Sequence, residues 1–199
     1  MKRLGVASAI GIVLALACLI AKAAEESAGR MLKPCVTITG ADSHVAIHRY
    51  HRITSHGVLT RIWQEHMGQN WQDRRERMGQ RRTDPSDLRE PLTCPMIDFD
   101  KYMVIGIFQG EGVNSTGLKV FSISEEDNRI LFRYDENSYQ TMGRVGSSHG
   151  GDKVTVYGFF VLPRSTKRMV LEKNVQNYLG QPPVWKQQIA FPELVAPAN

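Results

Sequence analysis

Past His149 the chain has no histidine. That lack disposes of its plainest motif match. Gly146-Ser147-Ser148-His149-Gly150 fits G-x-S-x-G, but the nucleophile elbow sits on a strand-to-helix turn and needs a triad histidine later in the chain. Lysine is missing where a phosphate loop requires it, since Asp152 follows Gly146-x4-Gly151. A third glycine is missing from Gly110-Glu111-Gly112, where Ser115 takes its place. Serine hydrolysis and both nucleotide-binding readings therefore fail, and no cofactor motif is left. The expectation is a non-catalytic protein.

Charge of one sign is also scarce. There are 25 Lys+Arg against 20 Asp+Glu, a net of +5. Three of the basic residues, Lys2, Arg3 and Lys22, lie in the leader described next, which holds no acid, so the remainder carries only +2. Nucleic acid is not an expected partner on that balance. No internal repeat is visible, so the chain is not a solenoid or a propeller.

The N-terminus reads as a targeting segment. Met1-Lys2-Arg3 is a basic start, Leu4 to Ile20 is apolar, and Ala21-Lys22-Ala23 is a small-x-small cleavage site. Removal after Ala23 gives a protein exported to the periplasm or the extracellular space. The apolar run is short for a retained spanning helix. Ala15-Leu16-Ala17-Cys18 loosely fits a lipobox, and a lipidated Cys18 would make the protein a membrane-tethered lipoprotein. Membrane contact is expected only in that case.

Cysteine is sparse, with three in all. Outside the leader an even pair is left, Cys35 and Cys94, which in an exported chain suggests a disulfide. It would close a loop of about 60 residues and contribute ~4 kcal/mol by chain entropy. Two free thiols are the alternative.

The rest divides into a strand and helix segment with an arginine-rich loop (24–92), a β domain (93–175) and a tail (176–199). Residues 24–33 read as a polar lead-in. Val36 to Thr39 and Val45 to Thr54 read as strands. Val58, Leu59, Ile62, Trp63 and His66 recur at helical spacing, which predicts one main helix near 58–68. Arg74, Arg75, Arg77, Arg81 and Arg82 punctuate a loop with interleaved acids, a solvated face or a contact for anionic lipid.

Tyr102 to Phe108 and Lys153 to Leu162 are apolar at both alternating positions, as expected of central strands covered on both faces. Between Gln109 and Gly117 lies a glycine-rich turn, with three glycines available for positive φ. Leu118 to Ser124, Ile130 to Tyr134 and Met169 to Glu172 read as further strands. The expected fold class is α+β: a mostly antiparallel sheet, sandwich-like or partly rolled, with one main helix.

Five of the six histidines fall between residues 44 and 66: His44, His48, His51, His56 and His66. A helix would put His44, His48 and His51 on one face, able to hold zinc. A strand would split them, and the β-branched, aromatic composition favours the strand. A metal-binding envelope protein is thus an alternative reading. Asp98 and Asp100, just before the central strand, are the one carboxylate pair of note, and acids there more often cap a turn than catalyse.

Ile97-Asp98-Phe99-Asp100-Lys101-Tyr102-Met103-Val104-Ile105-Gly106-Ile107-Phe108-Gln109-Gly110 resembles the central-strand segment of the PrcB-like family. That family is named after an exported subunit of a bacterial protease complex, which its partner needs for stability. Its members continue with a turn of the type G-x-x-x-T-G-G-Y. Thr116 and Gly117 match that turn, and Leu118-Lys119 depart from it. The resemblance covers about residues 95–175, with a fainter echo at 53–67. It implies an exported protein-interaction module with no enzymatic residues, whose partner could be an exported protease. The turn residues Glu111, Gly112, Asn114, Ser115, Thr116 and Gly117 are then the candidate contact.

Overall fold

The computed structural model describes residues 29–68, 93–139 and 151–195, except 177 and 179. The expected leader with Cys18, the arginine-rich 74–82 stretch and the G-x-S-x-G segment lie outside the described residues.

Among the described residues nine strands form two sheets. In chain order they are β1 (Arg30–Leu32), β2 (Val36–Gly40), β3 (His48–Ile53), β4 (Tyr102–Val113), β5 (Ser115–Glu125), β6 (Arg129–Ser138), β7 (Lys153–Pro163), β8 (Arg168–Asn174) and β9 (Trp185–Phe191). One helix, α1 (His56–Met67), joins them among the described residues. The four-stranded sheet runs β2-β7-β4-β3 and the five-stranded sheet β1-β5-β6-β8-β9. All named pairs are antiparallel except β6 with β8. The fold is α+β and mostly antiparallel, as the patterning predicts.

The doubly apolar strands explain the layering. Every residue of β4 from Met103 to Gly110 is buried. Met103, Ile105 and Ile107 face the five-stranded sheet and pack with Ile123, Phe132, Tyr134, Phe160 and Leu171. Val104 and Phe108 face the other way, with Tyr157 and Phe159 of β7, and meet the helix. The four-stranded sheet is therefore the middle of three layers. A strand apolar on both faces needs cover on both, and here the helix supplies the second cover.

Helix α1 covers that face with Leu59, Ile62, Trp63, His66 and Met67, while Val58 stays exposed. Each fully buried apolar side chain of this size stabilises by roughly 1.5–3 kcal/mol relative to exposure. The helix ends at Gly68, with φ 75°. A Cβ there would lie 2.6 Å from the His44 ring.

Several boundaries differ from the sequence reading. The lead-in contains β1, which pairs with β5 over three residues. The tail contains β9, which pairs with β8 through an irregularity between Leu171 and Glu172. Gln188 is the extra residue there, and the polar run Lys186-Gln187-Gln188 between Trp185 and Ile189 hides the strand. Strands from residues 30–53 and 185–191 thus complete the same two sheets as the central stretch.

The expected nine-residue turn is the largest difference. β4 continues to Val113 and β5 starts at Ser115. The two strands are not a hairpin. β4 belongs to the middle sheet and β5 to the outer one, so the chain crosses between sheets at Asn114.

Candidate functional site

The corner at Asn114 is built by conformations the sequence permits. Gly110 takes φ 70° at a register shift in the β4–β7 ladder. A Cβ there would stand 2.8 Å from the Ala46 carbonyl oxygen, and the next amide, Glu111, donates to that same oxygen at 3.2 Å. Gly117 takes φ 135°, with Thr39 Oγ1 only 2.5 Å from where its Cβ would be. Gly112, the third glycine, has an ordinary φ and room for a side chain.

Asn114 itself sits at φ 54°, and no other non-glycine among the described residues has positive φ. Left-handed backbone is costly for most residues, of order 1–3 kcal/mol, and persists where surroundings hold it. Asparagine tolerates it best. Here the Asn114 amide donates to the Asp152 carbonyl at 2.9 Å, and the Asp152 amide donates to Asn114 Oδ1 at 2.8 Å. The Tyr139 amide donates to the Asn114 carbonyl at 2.9 Å. Tyr139 Oη in turn donates to Asp152 Oδ2 at 2.9 Å, and that bond raises the phenol's pKa.

The following residues are fixed as well. Ser115 is buried and exchanges hydrogen bonds with Gly117 through its hydroxyl. Thr116 Oγ1 donates to the Asn137 carbonyl at 3.2 Å and accepts from Asn137 Nδ2 at 2.7 Å. What remains exposed is Glu111, Thr116 and Val113, the last at 58 %. Beside them a shallow cleft is lined by Asp42, Glu111, Val113, Lys153 and Thr155. The six candidate contact residues therefore separate: Glu111 and Thr116 face solvent, Gly112 and Asn114 are half-buried, and Ser115 and Gly117 form the support.

The other candidates do not converge. Cys35 and Cys94 are free thiols, so the expected bridge is not made. Cys35 is exposed just before β2, with its amide on Val161 of β7. The Cys94 thiol instead faces the Thr60 hydroxyl on α1 at 3.9 Å, and burial raises its pKa. The histidines scatter too. His44, His48 and His56 are exposed, His51 packs edge-on against Phe108, and His66 is buried. Its Nδ1 lies 2.9 Å from Ser43 Oγ, and its ring is 4.0 Å from that of Tyr157. No group of three metal-ligating side chains occurs among the described residues. Asp98 caps a turn: its Oδ1 accepts from the Asp100 amide at 3.1 Å and its Oδ2 pairs with Lys101 at 2.9 Å. The bond from Lys101 lowers its pKa.

One polar cluster escaped the sequence reading. Between the sheets, Gln109 of β4 donates to Tyr134 Oη at 3.1 Å and to Tyr50 Oη at 3.3 Å. Lys173 of β8 donates to Gln109 Oε1 and to Glu136 Oε2, both at 2.8 Å. Tyr50 Oη reaches Gln188 of β9 at 3.4 Å. Below it on β3, Arg52 donates to the carbonyls of Lys167, Pro192 and Ser165. These bonds lock the two sheets at the β3–β9 side, in a place where an unpaired polar group would be costly. Their only sequence signal is a glutamine ending an apolar run.

No family model, no curated protein and no solved structure matches this chain.

Proposed function

We propose that this chain is an exported, non-catalytic interaction module that engages a protein partner through the corner at residues 111–117. The observation that carries the reading is Asn114: a left-handed residue held by bonds to Asp152 and Tyr139, with Val113 and Thr116 projecting on either side. A rigid tip with an exposed apolar residue loses little conformational entropy on binding. The resemblance to the PrcB-like family suggests the partner class, an exported protease complex that such a subunit would stabilise.

The test is affinity capture from a cell-envelope extract with the full chain, beside Val113→Lys and Thr116→Lys. Both positions are exposed; Thr116→Lys also gives up the two bonds to Asn137, so circular dichroism and thermal melting of each variant check that the fold is kept. A partner held by the wild type and released by both variants supports the proposal. Equal capture by all three, or no partner at near-physiological salt, ends it.

A further inference from the structure

The outer face of the five-stranded sheet carries a second feature, far from the corner's logic. The β5–β6 ladder shifts register between Val120 and Ser122. Phe121 is the extra residue, left without a cross-strand partner, and it is 60 % exposed. Such bulges re-aim a side chain. The Phe121 ring leans over the sheet to the Trp185 ring of edge strand β9, with centroids 4.9 Å apart and planes at 57°. The Arg133 guanidinium stands 5.3 Å from the Trp185 centroid and donates to Glu172 at 2.9 Å. Beside it Lys119 pairs with Asp135 at 3.7 Å, and Asn174 donates to the same carboxylate at 3.1 Å.

We propose that this face binds a neutral glycan. The charges decide the class of ligand. Two cations and two anions neutralise each other, so the face offers no net attraction to a polyanion such as nucleic acid or an acidic lipid surface. A purely apolar peptide would desolvate two ion pairs and give their remaining donors and acceptors nothing in return. A sugar fits both parts. Its C–H face lies against an aromatic ring, and its hydroxyls both donate and accept, so they can bond to Arg133, Glu172, Lys119 and Asp135 while those stay paired with one another. The exposure of Phe121 has no role in the core that would otherwise explain a phenylalanine there.

The test is isothermal titration and tryptophan fluorescence of the full chain with cellohexaose, chitohexaose and maltohexaose. At least one should bind saturably, with an affinity that changes little between about 50 and 500 mM salt. Phe121→Ala and Trp185→Ala should each weaken it about tenfold or more. Phe121 is exposed, so its variant should melt as the wild type does, which keeps the result readable if the Trp185 variant is unstable. No saturation by any of the three up to about 10 mM overturns the proposal. So does undiminished binding by Phe121→Ala. Concentration-dependent self-association that Phe121→Ala abolishes, without sugar binding, would assign the face to a second copy of this chain instead.

Discussion

The Leu118 amide lies 2.6 Å from the Thr39 hydroxyl, and that hydroxyl donates onward to the Tyr157 carbonyl at 3.0 Å. Thr39 is on β2 in the middle sheet and Leu118 on β5 in the outer one. A single side chain thus ties the sheets together where the chain has just crossed between them. Gly117 makes the tie possible, because any Cβ there would occupy the hydroxyl's place.

Thr39→Val keeps the shape and removes the hydroxyl. The Leu118 N–H, in a residue only 3 % exposed, loses its acceptor. The expected cost is about 1–3 kcal/mol of unfolding free energy. Thr39→Ser should retain most of the stability. Urea unfolding of the two variants checks the pair, and equal stability of Thr39→Val and wild type would remove the inter-sheet tie from the account.

The Tyr134 phenol is fully buried, and burial first, then its bond to Tyr50, pushes its pKa well above the ordinary 10.0. A raised folded-state pKa means that the unfolded chain gives up this proton first. The stabilisation is therefore complete below about pH 10 and is lost as pH rises beyond it, by up to ~1.4 kcal/mol per pH unit. Tyr134→Phe removes that dependence. Near neutral pH the variant should be less stable by about 1–2 kcal/mol, since Gln109 and Tyr50 lose a partner. Above pH 10 the gap should narrow. Denaturant unfolding at pH 7, 9 and about 11 reads both effects, and a gap constant with pH would contradict the buried phenol.

The difference between what could and could not be read from the chain has a physical basis. β4 and β7 were legible because apolar residues at both alternating positions leave a strand no exposed face. Helix α1 was legible because Leu59, Ile62, Trp63 and His66 hold one period. β9 was not, because the polar run Lys186-Gln187-Gln188 interrupts its apolar residues, and the bulge at Gln188 puts Trp185 on the face opposite Ile189 and Phe191. The corner was half legible. Gly110 and Gly117 stand out by type, but their positive φ values and the crossing at Asn114 depend on which sheet each strand joins. The Gln109 cluster was invisible for the same reason, since β3, β4, β6, β8 and β9 each lend it a residue. Phe121 reads as one apolar residue in a strand, and only the register shift turns it outward.

Trp63 lies in the helix–sheet core at 4 % exposure, its ring 5.2 Å from Phe159 and 5.5 Å from His66. Its Nε1 has no hydrogen-bond partner among the described residues. Shape and area, not the N–H, are then what the indole contributes. Trp63→Ala should cost about 3–5 kcal/mol, from lost transfer free energy and the cavity left behind. Trp63→Phe removes the unpaired N–H along with part of the volume. The two changes oppose each other, because a buried donor without a partner carries a penalty of about 1–3 kcal/mol that phenylalanine does not. Its net cost should therefore be well under half that of the alanine variant. Thermal and urea unfolding of both variants measure the ratio. A phenylalanine variant as damaged as the alanine one would mean that the indole N–H is satisfied in solution and that the core at this position depends on it.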